Sequence, residues 1–268
     1  QSVKEYLDIM DHRKTEQLID TLDKVEQNRK ECYIREFSIE HFHDSKVFET
    51  LIPKICKIFR EENEELTGFE NEEILAEYQI YKTPGYVYMK GNVQIYSAGK
   101  QAADISAFPE GIAVAVGSEE DVPDICPDQT IDKVFTIENL TSFYRFKQEH
   151  SLVIYLGGYH NRSRRNLLMQ IYQKLPDAQY YHFGDLDAGG FYILEHLKRK
   201  TGIPFQMFQM DIETLKKYED YAKPLTENDK KRLMQLEKME LPDEERKLIT
   251  YMLQKGIKLE QECISESQ

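Results

Sequence analysis

The sequence predicts an α/β fold in which a parallel sheet flanked by helices is preceded by a smaller α+β module. Three observations carry that expectation. From residue 131 onward, short apolar strands alternate with helical patterns four times in about 80 residues, the order of βα units joined by right-handed crossovers. Leu152-Val153-Ile154-Tyr155-Leu156 is a continuous apolar run, suited to a strand covered on both faces. Tyr180-Tyr181-His182-Phe183-Gly184-Asp185-Leu186-Asp187-Ala188-Gly189-Gly190-Phe191 joins an aromatic strand to an amphipathic helix through two acids and a glycine pair.

In chain order, residues 1–30 read as a charged helical arm or linker whose thin apolar stripe is Leu7, Met10, Leu18, Leu22 and Val25. A helix follows with Val47, Leu51, Ile52, Ile55, Ile58 and Phe59 on one face, and Asp44 or Ser45 is its expected N-cap. His41 and His43 alternate on one face, but with no third partner nearby they read as packing or surface residues. A second short helix is expected over 70–80. Residues 86–96 alternate around Gly91-Asn92, a hairpin signal. Two helices and a hairpin are the order of a winged-helix-like module, expected here over 31–130. Residues 97–130, with Pro109, Pro123 and Pro127, are expected to hold the link to the next domain at 131–268.

Within that second domain, strand one is Val134-Phe135-Thr136-Ile137, ending in Glu138-Asn139 and leading to a helix around 140–146. Strand two ends in Gly157-Gly158 before a helix around 165–175, whose entry carries Arg162, Arg164 and Arg165. The helix after strand three runs to about Lys200. Strand four, Phe205-Gln206-Met207-Phe208-Gln209-Met210, closes at Asp211. The remainder reads as helices, the last including Lys258-Leu259-Glu260-Gln261-Glu262-Cys263-Ile264.

Composition narrows the function classes. Forty per cent hydrophobic and 11% aromatic residues support packed cores. No apolar run approaches the roughly 20 residues that cross a bilayer, and no leader opens the chain. Four scattered cysteines without a C-x-x-C pair argue against zinc and fit reduced thiols in a cytoplasmic protein. The first residue is Gln, which is consistent with a fragment of a longer polypeptide. Net charge is −13, the wrong sign for a simple nucleic-acid binder. Residues 61–77 alone hold eight glutamates and no basic residue, and read as a solvated helix face and loop. Any DNA contact must therefore use local basic patches, helped by metal ions.

At a strand end, residues i and i+2 share a face, so Asp185 and Asp187 would project together from the carboxyl end of a strand, where open α/β sheets place ligands. Carboxylates that close repel unless a cation or proton lies between them, and an all-oxygen set suits Mg²⁺ or Mn²⁺. The plainer reading makes Asp185 a turn former and Asp187 a helix N-cap. If strands one and three are neighbours, Glu138 joins the pair, with glycines on every side leaving room for a phosphate or backbone to approach.

A glutamate ending the first strand and an Asp-x-Asp after the third resemble the Toprim domain of topoisomerases, primases and several nucleases. More of the chain resembles one branch, the JetD-type nuclease subunit of bacterial Wadjet plasmid-defence systems. The stretches that carry it are Phe42-His43-Asp44-Ser45-Lys46, Thr136-Ile137-Glu138-Asn139-Leu140-Thr141, Gly184 through Phe191, and Leu259-Glu260-Gln261-Glu262. The resemblance implies a winged-helix DNA-binding module before the Toprim domain, as in the topoisomerase VI A subunit. It also implies homodimers, double-stranded DNA as substrate, and cooperation with an SMC-like, condensin-type complex. A topoisomerase of that kind needs a nucleophilic tyrosine. Among 17 tyrosines none stands in an arginine-flanked setting, and Tyr33, Tyr86 and Tyr88 read as packing residues. Hydrolysis is favoured over strand passage.

The expected activity is therefore Mg²⁺- or Mn²⁺-dependent hydrolysis of DNA phosphodiesters. Glu138, Asp185 and Asp187 would hold the metal; Glu260 or Glu262 would complete a second site if the C-terminal segment folds back. Arg162, Arg164, Arg165, Lys198 and Arg199, with Lys200, are candidate phosphate contacts. Competing readings are a non-catalytic DNA-binding or scaffold subunit with a relic site, a topoisomerase VI A-like strand-cleaving subunit, and a receiver-like signalling module. The last is weakened because no lysine stands at Met210-Asp211.

Overall fold

A computed structural model describes residues 12–63, 66, 69–82, 85–116, 123–157 and 162–264. Contacts divide the chain into two compact units, Gln1–Gly85 and Tyr86–Gln268.

The first unit runs α1 (His12–Gln27), β1 (Cys32–Tyr33), α2 (Ile34–Phe42), α3 (Val47–Glu62), α4 (Asn71–Glu77) and β2 (Ile80–Tyr81). β2 lies parallel to β1, with Cys32 opposite Ile80. α1 buries Leu18, Thr21 and Val25 at helical spacing; Leu7 and Met10 lie outside the described residues. α3 begins later than expected. Lys46 occupies its N-cap position, and Asp44 Oδ1 accepts the Lys46 N–H at 2.7 Å. The orphan Phe48 N–H is met by Ser38 of α2, whose buried hydroxyl accepts it at 3.0 Å. A tertiary neighbour thus supplies a capping partner that local spacing assigned to Asp44 or Ser45. Glu70 and Glu73 form a capping box at α4. His41 packs edge-on against Phe37, centroids 4.4 Å apart, and His43 ends α2 in the left-handed region at φ 55°. Both are packing and cap residues.

The second unit contains β3 (Gly85–Lys90), β4 (Val93–Ser97), β5 (Lys100–Asp104), β6 (Ile112–Val116), β7 (Asp124–Pro127), β8 (Lys133–Ile137), α5 (Leu140–Arg145), β9 (Ser151–Tyr155), α6 (Arg162–Lys174), β10 (Gln179–Phe183), α7 (Ala188–Thr201), β11 (Gln206–Met207), α8 (Ile212–Lys217), β12 (Lys223–Pro224), α9 (Glu227–Leu236), α10 (Asp243–Lys255) and β13 (Ile257–Lys258). A six-stranded sheet has the order β11-β10-β8-β9-β3-β6. β11, β10, β8 and β9 are mutually parallel, the arrangement that the four βα units anticipate. Residues 134–137 of β8 are all buried, as a strand covered on both faces requires. Aromatic contacts knit this core: Phe135 lies 4.7 Å from Phe146 and 5.0 Å from Phe208 between ring centroids.

Two expectations need correction. The hairpin around Gly91-Asn92 does not form. β3 joins the large sheet antiparallel to β9, and β4 pairs with β5 and β7 in a separate three-stranded sheet. Alternation shows that a strand has one buried face, not which strand it pairs with. Here Tyr88 stands opposite Tyr155, with ring centroids 5.7 Å apart, a cross-strand aromatic pair that contributes to holding β3 against β9. Accordingly residues 97–130, expected to hold a link, carry β5, β6 and β7. The last helix is also shorter than expected. α10 ends at Lys255 with Gly256 in the left-handed region at φ 69°. Beyond it come β13 and a 3₁₀ turn, Gln261–Cys263. No helix among the described residues is long and apolar enough to cross a membrane.

Candidate acidic site at the switch point of the sheet

The strand order dictates where a site can form. From β8 the chain crosses to β9 on one side, then returns to place β10 on the other side of β8 and β11 beyond it. The crossovers diverge between β8 and β10, which leaves a crevice at the carboxyl ends of those two strands. Ile137 pairs with Phe183 in the last rung of that ladder, and the Glu138 N–H continues it, donating to Phe183 O at 3.0 Å. Glu138 and the Gly184-Asp185 step are therefore adjacent. The Asp185 N–H donates to Glu138 Oε2 at 3.4 Å.

Glycine is required for this approach. A Cβ on Gly184 would stand 2.7 Å from Glu138 Oε2 and 2.8 Å from His182 Nε2; on Gly190 it would stand 2.2 Å from Asp185 O. The first turn of α7 therefore packs directly on the backbone of Asp185.

Asp187 takes the N-cap position of α7, its Oδ1 accepting the Gly190 N–H at 2.9 Å. The plainer of the two readings of Asp187 thus describes its observed bond. Asp185 is half-buried, and its Oδ1 accepts the backbone N–H of Gln261 at 2.7 Å. Burial pushes its carboxyl up to about 6, and the negative charges of Asp187, Glu262 and Glu260 add to the rise against the Gln261 N–H. The bonds described engage one oxygen each of Glu138, Asp185 and Asp187, and in every case the donor is a backbone N–H.

The C-terminal segment does fold back, as a strap rather than a helix. Leu186 and Leu259 exchange backbone bonds of 2.9 and 3.2 Å. Glu260 Oε1 accepts from Lys223 Nζ at 2.5 Å, and Glu262 Oε1 from Asn139 Nδ2 at 2.5 Å. Glu260 is thereby an ion-pair partner of Lys223, whereas Glu262 faces the end of β8. Beneath the site, buried Thr136 donates its hydroxyl to Tyr181 O at 3.2 Å, so that hydroxyl accepts from His182 Nδ1 at 3.0 Å. His182 Nε2 is left without a partner. Burial, with Lys198 adding to it, pushes this imidazole down to about 3, so it is neutral.

The candidate ligands Glu138, Asp185 and Asp187 are all carboxylates, which fits a hard divalent cation in kind. In spacing, among the described residues no three His, Cys, Asp or Glu side chains are grouped to hold a metal ion.

The basic candidates scatter. Arg164 donates to Leu156 O at 2.8 Å and to Tyr86 O at 3.4 Å, tying the ends of β9 and β3. Lys198 pairs with Glu195 at 2.8 Å and with buried Glu245, which turns it inward rather than toward a phosphate. Arg165 is half-buried, and its charge adds to the burial that pushes the His196 imidazole down. The side chain of Arg162 lies outside the described residues, and Arg199 and Lys200 are exposed at the end of α7. Sequence reasoning passed over Gln261, Asn139 and Lys223. Asn139 carried a signal, since its side chain caps α5 by accepting from Ser142 N–H at 3.0 Å; Gln261 carried only its place in the Leu259–Glu262 stretch of the resemblance, and Lys223 carried none.

Residues 120–268 match the family described as Wadjet protein JetD, C-terminal. The curated Wadjet protein JetD of Bacillus cereus (strain Q1) is 28% identical over 263 residues, which cover 96% of this chain and 63% of that relative.

Proposed function

From a chain that belongs to the Wadjet protein JetD C-terminal family, we propose a metal-dependent DNA endonuclease of Toprim type, acting in defence against plasmid or other foreign DNA. The observation that carries the proposal is the contact of Asp185 N–H with Glu138 Oε2 at the switch point, which joins acids 47 residues apart on neighbouring parallel strands. In this reading Glu138, Asp185 and Asp187 hold Mg²⁺ or Mn²⁺, with Glu262 beside them. When bound, the metal supplies charge stabilisation at the scissile phosphate and lowers the pKa of a water.

The chain's own residues do the rest. Backbone N–H groups orient the carboxylates, and Gly184 and Gly190 keep bulk out of the crevice. Crowded acids around Asp185 favour a cation in that space. The substrate is double-stranded DNA, and the chain works as a homodimer beside an SMC-like, condensin-type complex in the cytoplasm. The first unit serves as the DNA-binding module.

Two observations favour a second reading, a non-catalytic DNA-binding subunit: Asp187 is occupied as a helix cap, and among the described residues no three acids are grouped to hold an ion. Incubating supercoiled and relaxed plasmid with the protein in Mg²⁺, Mn²⁺ or EDTA separates the two. Nicking or linearisation that requires the metal supports the nuclease. Metal-independent shifts in mobility without cleavage support the scaffold.

A further inference from the structure

We infer that Gln261 is a positioning residue of the acidic site, and that the strap around it completes that site. The inference rests on the nuclease reading above. Gln261 is 0% exposed, although it is a polar residue between two glutamates near the end of the chain. Its side chain bridges the two strands at the switch point: Nε2 donates to Phe183 O at 3.1 Å and Oε1 accepts the Asn139 N–H at 2.9 Å. Its own backbone N–H then donates to Asp185 Oδ1 at 2.7 Å. One residue therefore ties the end of β8, the end of β10 and the carboxylate between them.

The chemistry of the side chain explains why glutamine stands there. Past the last ladder rung stand the Asn139 N–H on one side and, on the other, Phe183 O, which accepts the Glu138 N–H and has acceptor capacity to spare. A primary amide presents one acceptor and one donor at the right separation. Glutamate offers no donor for Phe183 O, and an aliphatic residue would take the acceptor from the Asn139 N–H and leave Phe183 O with the Glu138 N–H alone. The strap is pinned on each side of Gln261, by the Leu186–Leu259 backbone pair, by Glu260 with Lys223 and by Glu262 with Asn139. Its backbone is thus set, and the N–H aimed at Asp185 comes from outside the strand that carries the acid. Partners that orient a ligating carboxylate in this way tune it without touching substrate.

The test uses the full chain with Gln261→Met, which removes both side-chain bonds at similar volume. Gln261→Glu, which preserves shape, serves if the first variant does not fold. Four quantities are read: melting temperature, Mn²⁺ affinity by electron paramagnetic resonance of the free ion, kcat and KM for plasmid nicking, and amide exchange over 183–187 and 259–263. A positioning role predicts a folded variant whose kcat falls about 10- to 100-fold with KM for DNA nearly constant. Mn²⁺ affinity should weaken about tenfold and exchange should quicken at both segments. Wild-type Mn²⁺ affinity and kcat in the folded variant, or a loss of kcat that only follows the loss of folded protein, overturn it. If the wild-type chain neither binds Mn²⁺ nor nicks, the nuclease reading fails by itself. Exchange then decides whether Gln261 orders Asp185: faster exchange in the variant retains that role, and unchanged exchange removes it.

Discussion

Lys198 on α7 bonds to Glu245 on α10, a carboxylate only 3% exposed, and to Glu195 one turn back on its own helix. This buried group locks two helices of the second unit together. Removing the lysine leaves Glu245 a charge without its partner, a loss worth about 3–5 kcal/mol for buried pairs. Lys198→Met should therefore lower the melting temperature by several degrees, and Lys198→Met with Glu245→Leu should recover most of it. Thermal unfolding of the single and double variants measures this; equal stability of Lys198→Met and wild type would contradict it.

The same pair sets a pH dependence. Burial raises the Glu245 carboxyl above its ordinary value of 4.5, with Lys198 opposing the rise. A raised acid binds its proton more tightly when folded, so its contribution is complete below the unfolded pKa and is lost as pH rises through the folded one. Stability should fall between about pH 4.5 and neutrality through this group, more steeply in Lys198→Met, where the opposing charge is gone. Glu245→Gln should flatten that part of the profile of melting temperature against pH.

For the acidic site, Asp185→Asn and Glu138→Gln should each reduce metal-dependent nicking roughly 1,000-fold, because metal stabilisation of the reacting phosphate is worth several kcal/mol and each ~1.4 kcal/mol is tenfold. Circular dichroism and melting temperature should stay close to wild type. Full activity in either variant would remove that residue from the site.

Gly190→Ala should act through sterics instead. A Cβ placed 2.2 Å from Asp185 O cannot be accommodated without moving either α7 or the strand end, and overpacking of this kind costs about 1–3 kcal/mol. Lower melting temperature and reduced Mn²⁺ affinity are expected together. An unchanged melting temperature would mean that the helix start is looser than its contacts imply.

In the first unit, Ser38→Ala removes the acceptor of the buried Phe48 N–H. Leaving one buried donor unmet costs about 1–3 kcal/mol, which is readable as a drop in melting temperature. Asp44→Ala, at the position that local spacing would make the cap, should cost less.

The sequence by itself determined the α/β alternation from β8 to β11, the two-sided burial of β9, and the standing of acids at the ends of two strands; that those strands are neighbours was decided by the sheet. Apolar period and run length report local burial, and these elements bury themselves wherever they pack. It also carried the family resemblance, on short stretches whose order and spacing agree along the chain. Tertiary structure decided what depends on partners far away in sequence. β3 pairs with β9, Tyr88 opposite Tyr155, instead of forming the expected hairpin, because alternation is blind to the identity of the neighbouring strand. Ser38 replaces Asp44 as the partner of a helix start, because a hydroxyl across a helix pair satisfies an orphan N–H as well as a local one. Lys198 turns inward to Glu245 instead of outward to a phosphate, since one charged side chain reads alike on either face until its helix is packed. Gln261, 76 residues beyond Asp185, reaches the acid only because the chain turns back at Gly256 and lays Leu259 beside Leu186, a pairing made of backbone bonds that leave no trace in residue type.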